Sequence, residues 1–325
     1  MNRFYLVFVG LFLLLTEGIS AKVRILTFHY NKPDFIELQH RCLQKFMLDE
    51  YELIVFNDAA TEENERAIRE TCESLGIECV RFQPKWHLTS PLNWKIKQWL
   101  KSPTTYQLHD HFPSKSCSLE TIANQASVRH CHVIQYALDN YGYGHNDVVA
   151  IMDGDAFFIR DISLKKKLEQ LDVFGMAKPP LEAVSYLWVV FLAFDPAKLP
   201  NLRNLTFDMA LINNLIHDTG AQSNRYFEAN PTIKSQQTFS EYSNAYSRRS
   251  VRSLADEGFS EEEIWLIKTL DESQTIEFNI DRSVLHIGAS SFEFEGHMIK
   301  AECVREFIDL ILKKQLYPTE GDDEM

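Results

Sequence analysis

The stretch that decides the fold is DVVAIMDGDAFFIRDI, residues 147–162. Its apolar run at 148–152 is typical of a buried strand, yet the run ends at two aspartates separated by one glycine. On an extended segment, residues i and i+2 face the same side, so Asp153 and Asp155 would point the same way. Two ionised carboxylates so close repel each other, and a bound divalent cation removes that repulsion. The stretch therefore predicts a Mg²⁺ or Mn²⁺ site, although Asp-Gly-Asp is also ordinary chemistry for a solvated turn.

The first part of the chain predicts strands and helices in alternation. Continuous apolar strands are expected at 22–31, 51–59 and 77–82, and the segments 33–48 and 62–76 have the apolar spacing of helices. Such strands, separated by helices, indicate a mostly parallel sheet that is covered by helices on both faces. The expected fold class is therefore α/β and Rossmann-like, with additional helices toward the C-terminus.

Polar side chains follow several of these strands. Tyr30 lies beyond the first predicted strand, and Asn57 and Asp58 end the second. Asp153 and Asp155 end the strand of the opening stretch. Because ligands of open α/β sheets bind beyond the carboxyl ends of the strands, these side chains predict a single site at that edge of the sheet.

The rest of the chain gives looser patterns. Residues 119–142 predict one long helix that leads into the opening stretch, and residues 204–222 predict a helix that ends in a polar turn. Ser260 and Glu263 predict a capping box in front of a further helix. Residues 301–316 predict an amphipathic C-terminal helix.

The N-terminal segment has the features of a targeting sequence. Arg3 precedes an apolar run at 4–15, which is shorter than the roughly 20 residues of a spanning helix, and small residues follow before Lys22. Three interpretations stay open for residues 1–21: a cleaved signal peptide, an uncleaved membrane anchor or a buried helix. The first two predict a secreted, exported or secretory-pathway protein that touches a membrane only through this segment.

Charge and cysteine content limit the other partners. The net charge of −13 argues against nucleic acid as a partner, since binding to a phosphate backbone relies on positive surface. The six cysteines include no CxxC pair, which disfavours a cysteine zinc site. Their even number permits disulfides in a secretory protein, and buried free thiols fit equally well.

The opening stretch resembles the D-x-D strand of GT-A type glycosyltransferases, in which an apolar strand ends in Asp-x-Asp and then resumes. The β-α-β-α-β start and the segment VLHIGAS at 284–290 add to the resemblance, which covers roughly residues 22–290. It implies a metal-dependent enzyme that moves a sugar from a nucleotide-diphosphate donor to a hydroxyl of a carbohydrate, lipid or protein acceptor. The implied cofactor is Mn²⁺ or Mg²⁺.

The same resemblance implies an organisation for the chain. One GT-A-like domain would span 22–315, with a nucleotide-binding half at 22–155 and an acceptor half at 156–315. An acidic tail would follow at 316–325.

The resemblance also assigns candidate residues to the nucleotide and the donor. These residues are Thr27, Tyr30, Asp58, Asn124, Arg129, Asp153, Gly154 and Asp155. Asp58 matches an acidic residue that contacts the base. Asn124 and Arg129 lie five apart on the predicted helix before the motif and would reach the ribose or a phosphate. Ordinary solvated positions on a helix surface are the alternative for both.

Three later residues complete the candidate site. His286 resembles the metal-ligand histidine of several GT-A families and would join Asp153 and Asp155, with a core histidine as the alternative. Asp218 would contact the sugar or activate the acceptor hydroxyl, or it belongs to a helix C-cap turn. Trp188 would stack on a sugar ring, or it is a core tryptophan.

Two other functions use the same residues. A non-catalytic module would bind carbohydrate or protein on this fold without turnover. A metal-dependent nucleotide-sugar pyrophosphatase would release sugar phosphate instead of a glycoside.

Overall fold

The computed structural model describes residues 22–101, 118–177, 186–213, 215–270, 274–288 and 295–314. The N-terminal segment 1–21, Cys117 and the acidic tail 316–325 lie outside these residues. The described part of the chain contains no helix that is both long enough and apolar enough to cross a membrane.

The strands fall into three sheets. In chain order they are β1 (Val23–His29), β2 (Tyr51–Asn57), β3 (Glu78–Arg81), β4 (Val149–Asp153), β5 (Ala156–Phe158), β6 (Val173–Ala177), β7 (Leu187–Phe194), β8 (Ala210–Ile212), β9 (Leu215–His217), β10 (Ser235–Thr238), β11 (Glu241–Tyr242), β12 (Glu277–Asn279) and β13 (Val284–His286). The central sheet has seven strands in the order β10-β6-β7-β4-β1-β2-β3. In it, β1 is parallel to β2 and β4, and β7 is antiparallel to its neighbours β4 and β6. The expected α/β class with a mostly parallel sheet is confirmed.

Helices pack on both faces of this sheet and against the two smaller sheets. They are α1 (Pro33–Phe46), α2 (Glu62–Leu75), α3 (Lys85–Thr89), α4 (Pro91–Lys101), α5 (Leu119–Ala123), α6 (Ala126–Ala137), α7 (Leu164–Leu168), α8 (Ser223–Ala229), α9 (Asn244–Ser247), α10 (Val251–Asp256), α11 (Glu261–Thr269) and α12 (Glu295–Lys313). The expected capping box of Ser260 and Glu263 is present at the start of α11.

Alternation along the strands divides the core into two layers. Ile25 of β1 belongs to a cluster that includes residues of α1 and α12, whereas the next residue, Leu26, belongs to a cluster with Val133 and Ile134 of α6. Successive side chains of a strand point to opposite faces, so a continuous apolar strand fills both layers. This explains why the central strands read as unbroken apolar runs.

The Asp-Gly-Asp motif is the corner between two sheets. Asp153 ends β4 in the central sheet, and β5 begins at Ala156 in a four-stranded sheet with the order β11-β12-β13-β5. In this smaller sheet β13 is antiparallel to β5, with His286 opposite Ala156. The corner therefore places the carboxyl end of a central strand directly beside a strand from far along the chain.

The single helix expected at 119–142 is wrong. Helix α5 ends at Ala123, Gln125 has an extended backbone (φ −65°, ψ 138°), and α6 is followed by a π-helical turn over Leu138–Gly142. Asn124 stands at the first break, and asparagine favours such positions because its side chain competes with the helical backbone. Asn124 is therefore not on the same helix as Arg129.

The helix expected at 204–222 is also wrong, because the segment forms the hairpin of β8 and β9. Leu205, Phe207 and Met209 are buried at every second position, which is the period of an extended chain. Asn213 adopts a left-handed backbone (φ 52°) between the two strands, as asparagine tolerates in tight turns. Asp218 therefore follows a strand and does not belong to a helix C-cap.

Candidate metal centre

Three potential metal ligands meet at the corner. One ligand atom from each of Asp153, Asp155 and His286 lies within 4.8 Å of the other two. His286 Nε2 is 3.1 Å from Asp155 Oδ1. The pairing of β13 with β5 produces this meeting, because it sets His286 beside the residue that follows Asp155.

A further carboxylate lies behind the histidine. Glu277 is directly opposite His286 in the β12–β13 pair, and its Oε2 is 3.1 Å from His286 Nδ1. The Ser240 hydroxyl donates to the same Glu277 oxygen at 3.1 Å. Because Nδ1 donates to Glu277, Nε2 faces Asp155. Metal-binding histidines are commonly oriented in this way, by a carboxylate that accepts from the ring nitrogen that does not bind the metal. Sequence reasoning missed Glu277, whose only signal is an acidic residue in a short apolar strand.

The electrostatics of the corner favour a cation. Burial, reinforced by Asp155, raises the pKa of the Asp153 carboxyl. Burial alone would lower the pKa of His286, but Asp155 and Glu277 outweigh it and raise that pKa to about 10. The buried Lys300 ammonium donates to Gly288 O at 2.8 Å, and burial lowers its pKa although the same two carboxylates oppose the shift. Without an ion, protonated side chains supply the positive charge that the carboxylates require.

The donor set fits a divalent cation. Carboxylate oxygens suit hard ions such as Mg²⁺ and Mn²⁺, and an imidazole nitrogen is a good ligand for Mn²⁺ and later metals. Asp155 and His286 are buried, whereas the Asp153 side chain is 27% exposed, so Asp153 is the most solvent-accessible of the three ligands.

The corner itself is held rigidly. The buried Gln39 amide of α1 donates to the carbonyls of Asp153 and Ala156, at 2.9 Å each. A Cβ on Gly154 would lie 2.3 Å from Phe28 O and 3.1 Å from the His29 ring, so only glycine fits. The close approach of strand β1 leaves no room for a side chain at Gly154. Gln39 gave no signal in the sequence beyond being a polar residue on the buried face of α1.

Two further side chains, Trp188 and His130, lie beside the metal-ligand cluster, and only Trp188 was predicted from the sequence to have a role. The Trp188 ring makes an edge contact with His286, with 5.6 Å between centroids, and is partly buried. His130 of α6 places Nε2 3.7 Å from Asp153 Oδ1 and packs edge-on against Phe28. The structure therefore places Trp188 beside the proposed metal ligands.

Asp218 lies in a turn that packs against β7. Its turn packs on that strand so closely that a Cβ on Gly220 would be 2.2 Å from Leu187 O. Thr219 donates through its hydroxyl to Ser127 O of α6 at 3.2 Å. The turn is thus fixed between α6 and the strand that carries Trp188.

Three of the nucleotide candidates, Tyr30, Asp58 and Arg129, form a second polar cluster. Asp58 Oδ2 accepts from Arg129 Nε at 3.2 Å, and Asp58 Oδ1 is 2.8 Å from His87 Nε2. Both Asp58 and Arg129 are buried, and the Tyr30 ring lies over the Arg129 guanidinium at 4.9 Å. Tyr30 is 38% exposed. The two charged side chains therefore bind each other, and the aromatic face of Tyr30 is the part of this cluster that reaches the surface.

Two other candidates lie apart from these contacts. Thr27 is fully buried, and its hydroxyl is 3.3 Å from His29 Nε2. Asn124 is exposed at the junction of α5 and α6.

Comparisons with known proteins return only remote structural likenesses. No protein-family model and no curated protein matches the chain. One matching solved structure is the galactosyltransferase LgtC with donor and acceptor sugar analogues (12% identity, TM-score 0.39, covering 92% of this chain and 98% of that one). Another is the mannosyltransferase PcManGT from Pyrobaculum calidifontis with GDP-Man and Mn²⁺ (13%, 0.36, 72% and 61%). A third is core-mannan synthase A from Aspergillus fumigatus in its Mn/GDP form (10%, 0.38, 58% and 63%).

By name, the first two of these structures are glycosyltransferases and the third is a mannan synthase. The chain spans about three fifths of the length of the second and third of them. At these identities and TM-scores the likeness carries no argument about activity.

Proposed function

We propose that the protein is a metal-dependent glycosyltransferase that moves a sugar from a nucleotide-diphosphate donor to an acceptor hydroxyl. The observation that carries the proposal is the cluster of Asp153, Asp155 and His286, with ligand atoms within 4.8 Å of one another at the carboxyl edge of the central sheet. Open α/β sheets bind ligands at this edge. The D-x-D resemblance supplies the reaction class.

Asp153, Asp155 and His286 would hold Mn²⁺ or Mg²⁺. The ion, when bound, would neutralise the charge that develops on the leaving diphosphate. Glu277 fixes the imidazole ring of His286. Gln39 fixes the backbone on both sides of the motif, so the ligands are positioned before any donor arrives.

The nucleotide would lie across the exit of β1. Tyr30 presents an exposed ring suited to stacking on a base, and the Arg129 guanidinium supports that ring from beneath. The buried pair of Asp58 and Arg129 would act here through Tyr30. Asn124, exposed before α6, stays a proposed contact for the ribose or a phosphate.

The sugar and the acceptor would lie beyond the metal ligands. Trp188 stands against His286 and is proposed as a wall for the sugar ring. Asp218 is proposed as the carboxylate that contacts the sugar or accepts the proton of the acceptor hydroxyl. An inverting reaction needs that base near the acceptor, and a retaining one does not. The acceptor class proposed is a carbohydrate, a lipid or a protein.

The N-terminal segment 1–21 suggests a place for this reaction. We propose the secretory pathway or an exported location, where the donor would be delivered from the cytosol. Sequencing the N-terminus of the protein purified from a eukaryotic secretory host tests whether the segment is cleaved.

The first experiment is calorimetric titration of the purified protein with UDP and GDP, with and without Mn²⁺. The Asp153→Ala/Asp155→Ala variant removes two ligands, and Asp256→Ala, an exposed aspartate of α10, is the matched control. We expect metal-dependent nucleotide binding in the wild type and the control and its loss in the double variant. Binding that persists in the folded double variant, or a folded wild type that binds no nucleoside diphosphate, would refute the proposed donor site.

Product analysis then separates the competing functions. Transfer or hydrolysis of a donor sugar with release of nucleoside diphosphate supports the transferase. Release of sugar phosphate indicates a pyrophosphatase. Tight binding without turnover of any donor indicates a binding module.

A further inference from the structure

We propose that Cys72 and Cys79 form a disulfide bond when the protein meets an oxidising disulfide compound. The two thiols are free in the structure and lie on either side of one turn, at the end of α2 and in β3. The proposal is independent of the proposed enzymatic function.

The turn brings the two cysteines together. Gly76 has a left-handed backbone (φ 66°), its N–H donates to Glu73 O at 3.2 Å, and the N–H of Ile77 donates to Cys72 O at 2.9 Å. These two bonds are the Schellman motif, which reverses the chain at the end of a helix. Glycine is required there because a Cβ disfavours this backbone conformation. The chain that leaves the turn therefore runs back alongside the last turn of α2.

The strand that follows points Cys79 at the helix. Ile77 and Cys79 are two residues apart in extended chain and share one face. Both pack on the cluster that contains Cys72 and Val55, and Cys79 is opposite Val55 in the β2–β3 pair. The Cys72 and Cys79 side chains therefore pack in the same cluster, where each thiol shifts the pKa of the other. A register shift of one residue would turn Cys79 to the other face, so the sheet fixes the contact.

The surroundings of the two thiols give them different roles. Cys72 is fully buried, whereas Cys79 is partly exposed. The neighbouring Cys72 thiol lowers the pKa of the Cys79 thiol, so Cys79 is the better nucleophile. By contrast, burial raises the pKa of Cys42 to about 12 and raises that of Cys131 as well.

The chemistry balances with an external disulfide, such as glutathione disulfide or a thiol–disulfide oxidoreductase. The Cys79 thiolate attacks one sulfur of that disulfide, forms a mixed disulfide and expels the other sulfur as a thiolate. The Cys72 sulfur, having lost its proton, then attacks the Cys79 sulfur and expels the second thiolate. The cysteine pair is oxidised by two electrons, and the external disulfide is reduced to two thiols.

The bond would join α2 to an edge of the central sheet. Strand β3 is the last strand in the order, and Arg81 at its end donates to Asn57 O at 2.9 Å and Ala59 O at 2.8 Å. Closing the loop between Cys72 and Cys79 would therefore restrain the strand that supports the loop after β2.

The test is peptide mapping of the full chain after incubation in a glutathione redox buffer and alkylation. Both cysteines fall in the single tryptic peptide 70–81, which contains no other cysteine. We expect this peptide to be unalkylated and lighter by two hydrogen atoms, and cleavage after Glu73 or Glu78 to give two fragments that stay linked until reduced. Full alkylation of both cysteines, or linkage of either one to another cysteine, would overturn the proposal.

Single variants provide the controls. Oxidised wild type should melt roughly 3–6 °C above the reduced protein, because the closed loop restricts the unfolded chain. Cys72→Ser and Cys79→Ser should each abolish this difference, while Cys303→Ser, which leaves the pair intact, should preserve it. A difference that survives Cys79→Ser would show that another pair is responsible.

Discussion

Two polar clusters lie at the carboxyl ends of β2 and β4, the strands on either side of β1, and balance their charges in opposite ways. After β2, the Asp58 carboxylate is paired with Arg129 and His87 and is buried with them. After β4, the carboxylates of Asp153, Asp155 and Glu277 lie together around His286, and burial with the nearby Asp155 raises the pKa of the Asp153 carboxyl.

The contrast separates a structural ion pair from a ligand site. A carboxylate that already has a guanidinium partner gains little from an added cation. A group of carboxylates that share too few cations repel one another until an ion arrives. Substitutions at both strand ends can test this contrast.

The largest expected effect comes from Asp58→Asn. Removing this charge leaves the Arg129 guanidinium buried without its partner, so the free energy of unfolding should fall by about 3–5 kcal/mol. Asp153→Asn should not lower the free energy of unfolding, because burial raises the pKa of Asp153 and its negative charge therefore destabilises the native state. Urea unfolding of both variants without added metal measures the difference. Equal losses would remove the distinction between the clusters.

Gly154→Ala should have the next largest effect. The added Cβ would meet Phe28 O at 2.3 Å, so the corner must shift away from β1, at a cost of about 2–3 kcal/mol. Gly144→Ala is the control, because nothing lies within 4 Å of a Cβ there and stability should change by less than about 0.5 kcal/mol. Thermal unfolding and Mn²⁺ titration measure the two consequences. An unperturbed Gly154→Ala protein would show that the corner is not held against β1.

Glu277→Gln should weaken the metal centre without removing a ligand. Loss of the carboxylate partner of His286 Nδ1 should lower Mn²⁺ affinity about 10–100-fold while the native fold persists. Glu257→Gln removes a surface carboxylate of the same kind and should leave Mn²⁺ affinity unchanged. Calorimetry with Mn²⁺ alone is sufficient. Wild-type affinity in Glu277→Gln would assign Glu277 a purely structural role.

The smallest expected effect is on the pH dependence of stability, and it concerns the cluster that contains Asp58, His87 and His132. His132 Nδ1 lies 3.1 Å from His87 Nδ1, and burial lowers the pKa of His132 to about 3. Between pH 6.5 and that value the unfolded chain takes up a proton that the native protein does not, so stability is lost as the pH falls.

The measurement is the change in unfolding free energy between pH 7 and pH 5.5. His132→Asn keeps an N–H donor for His87 and removes the titration, so the acid-induced loss should shrink by about 1 kcal/mol. A pH dependence identical to that of wild type would mean that His132 does not titrate in this way.

The sequence predicted what local patterns determine. The first three central strands and the apolar strand that ends at Asp153 were read from unbroken apolar runs, and the capping box of Ser260 and Glu263 from its spacing. Two helices were predicted wrongly. The interruption of the helix at Gln125 and the hairpin turn at Asn213 each depend on a single residue with an ordinary side chain. Helical spacing over a long window hides such breaks.

The site was accessible to sequence reasoning only in part. The His286 segment suggested a partner for the aspartates, and the structure brings them together. Glu277 and Gln39 act through strand register and through a helix that crosses the corner, which no local pattern encodes. Asp58 and Arg129 were both noticed, but their mutual pairing is a contact between residues 71 positions apart.

The corner at Gly154 has a mechanical consequence. Asp153 belongs to the central sheet, whereas His286 belongs to the four-stranded sheet. An ion held by both would therefore link two separately hydrogen-bonded sheets. Any movement of one sheet against the other would change the distances from the ion to Asp153 and His286. A bound ion would then restrict this movement and make the two sheets unfold as one cooperative unit. The melting temperature would rise with metal concentration.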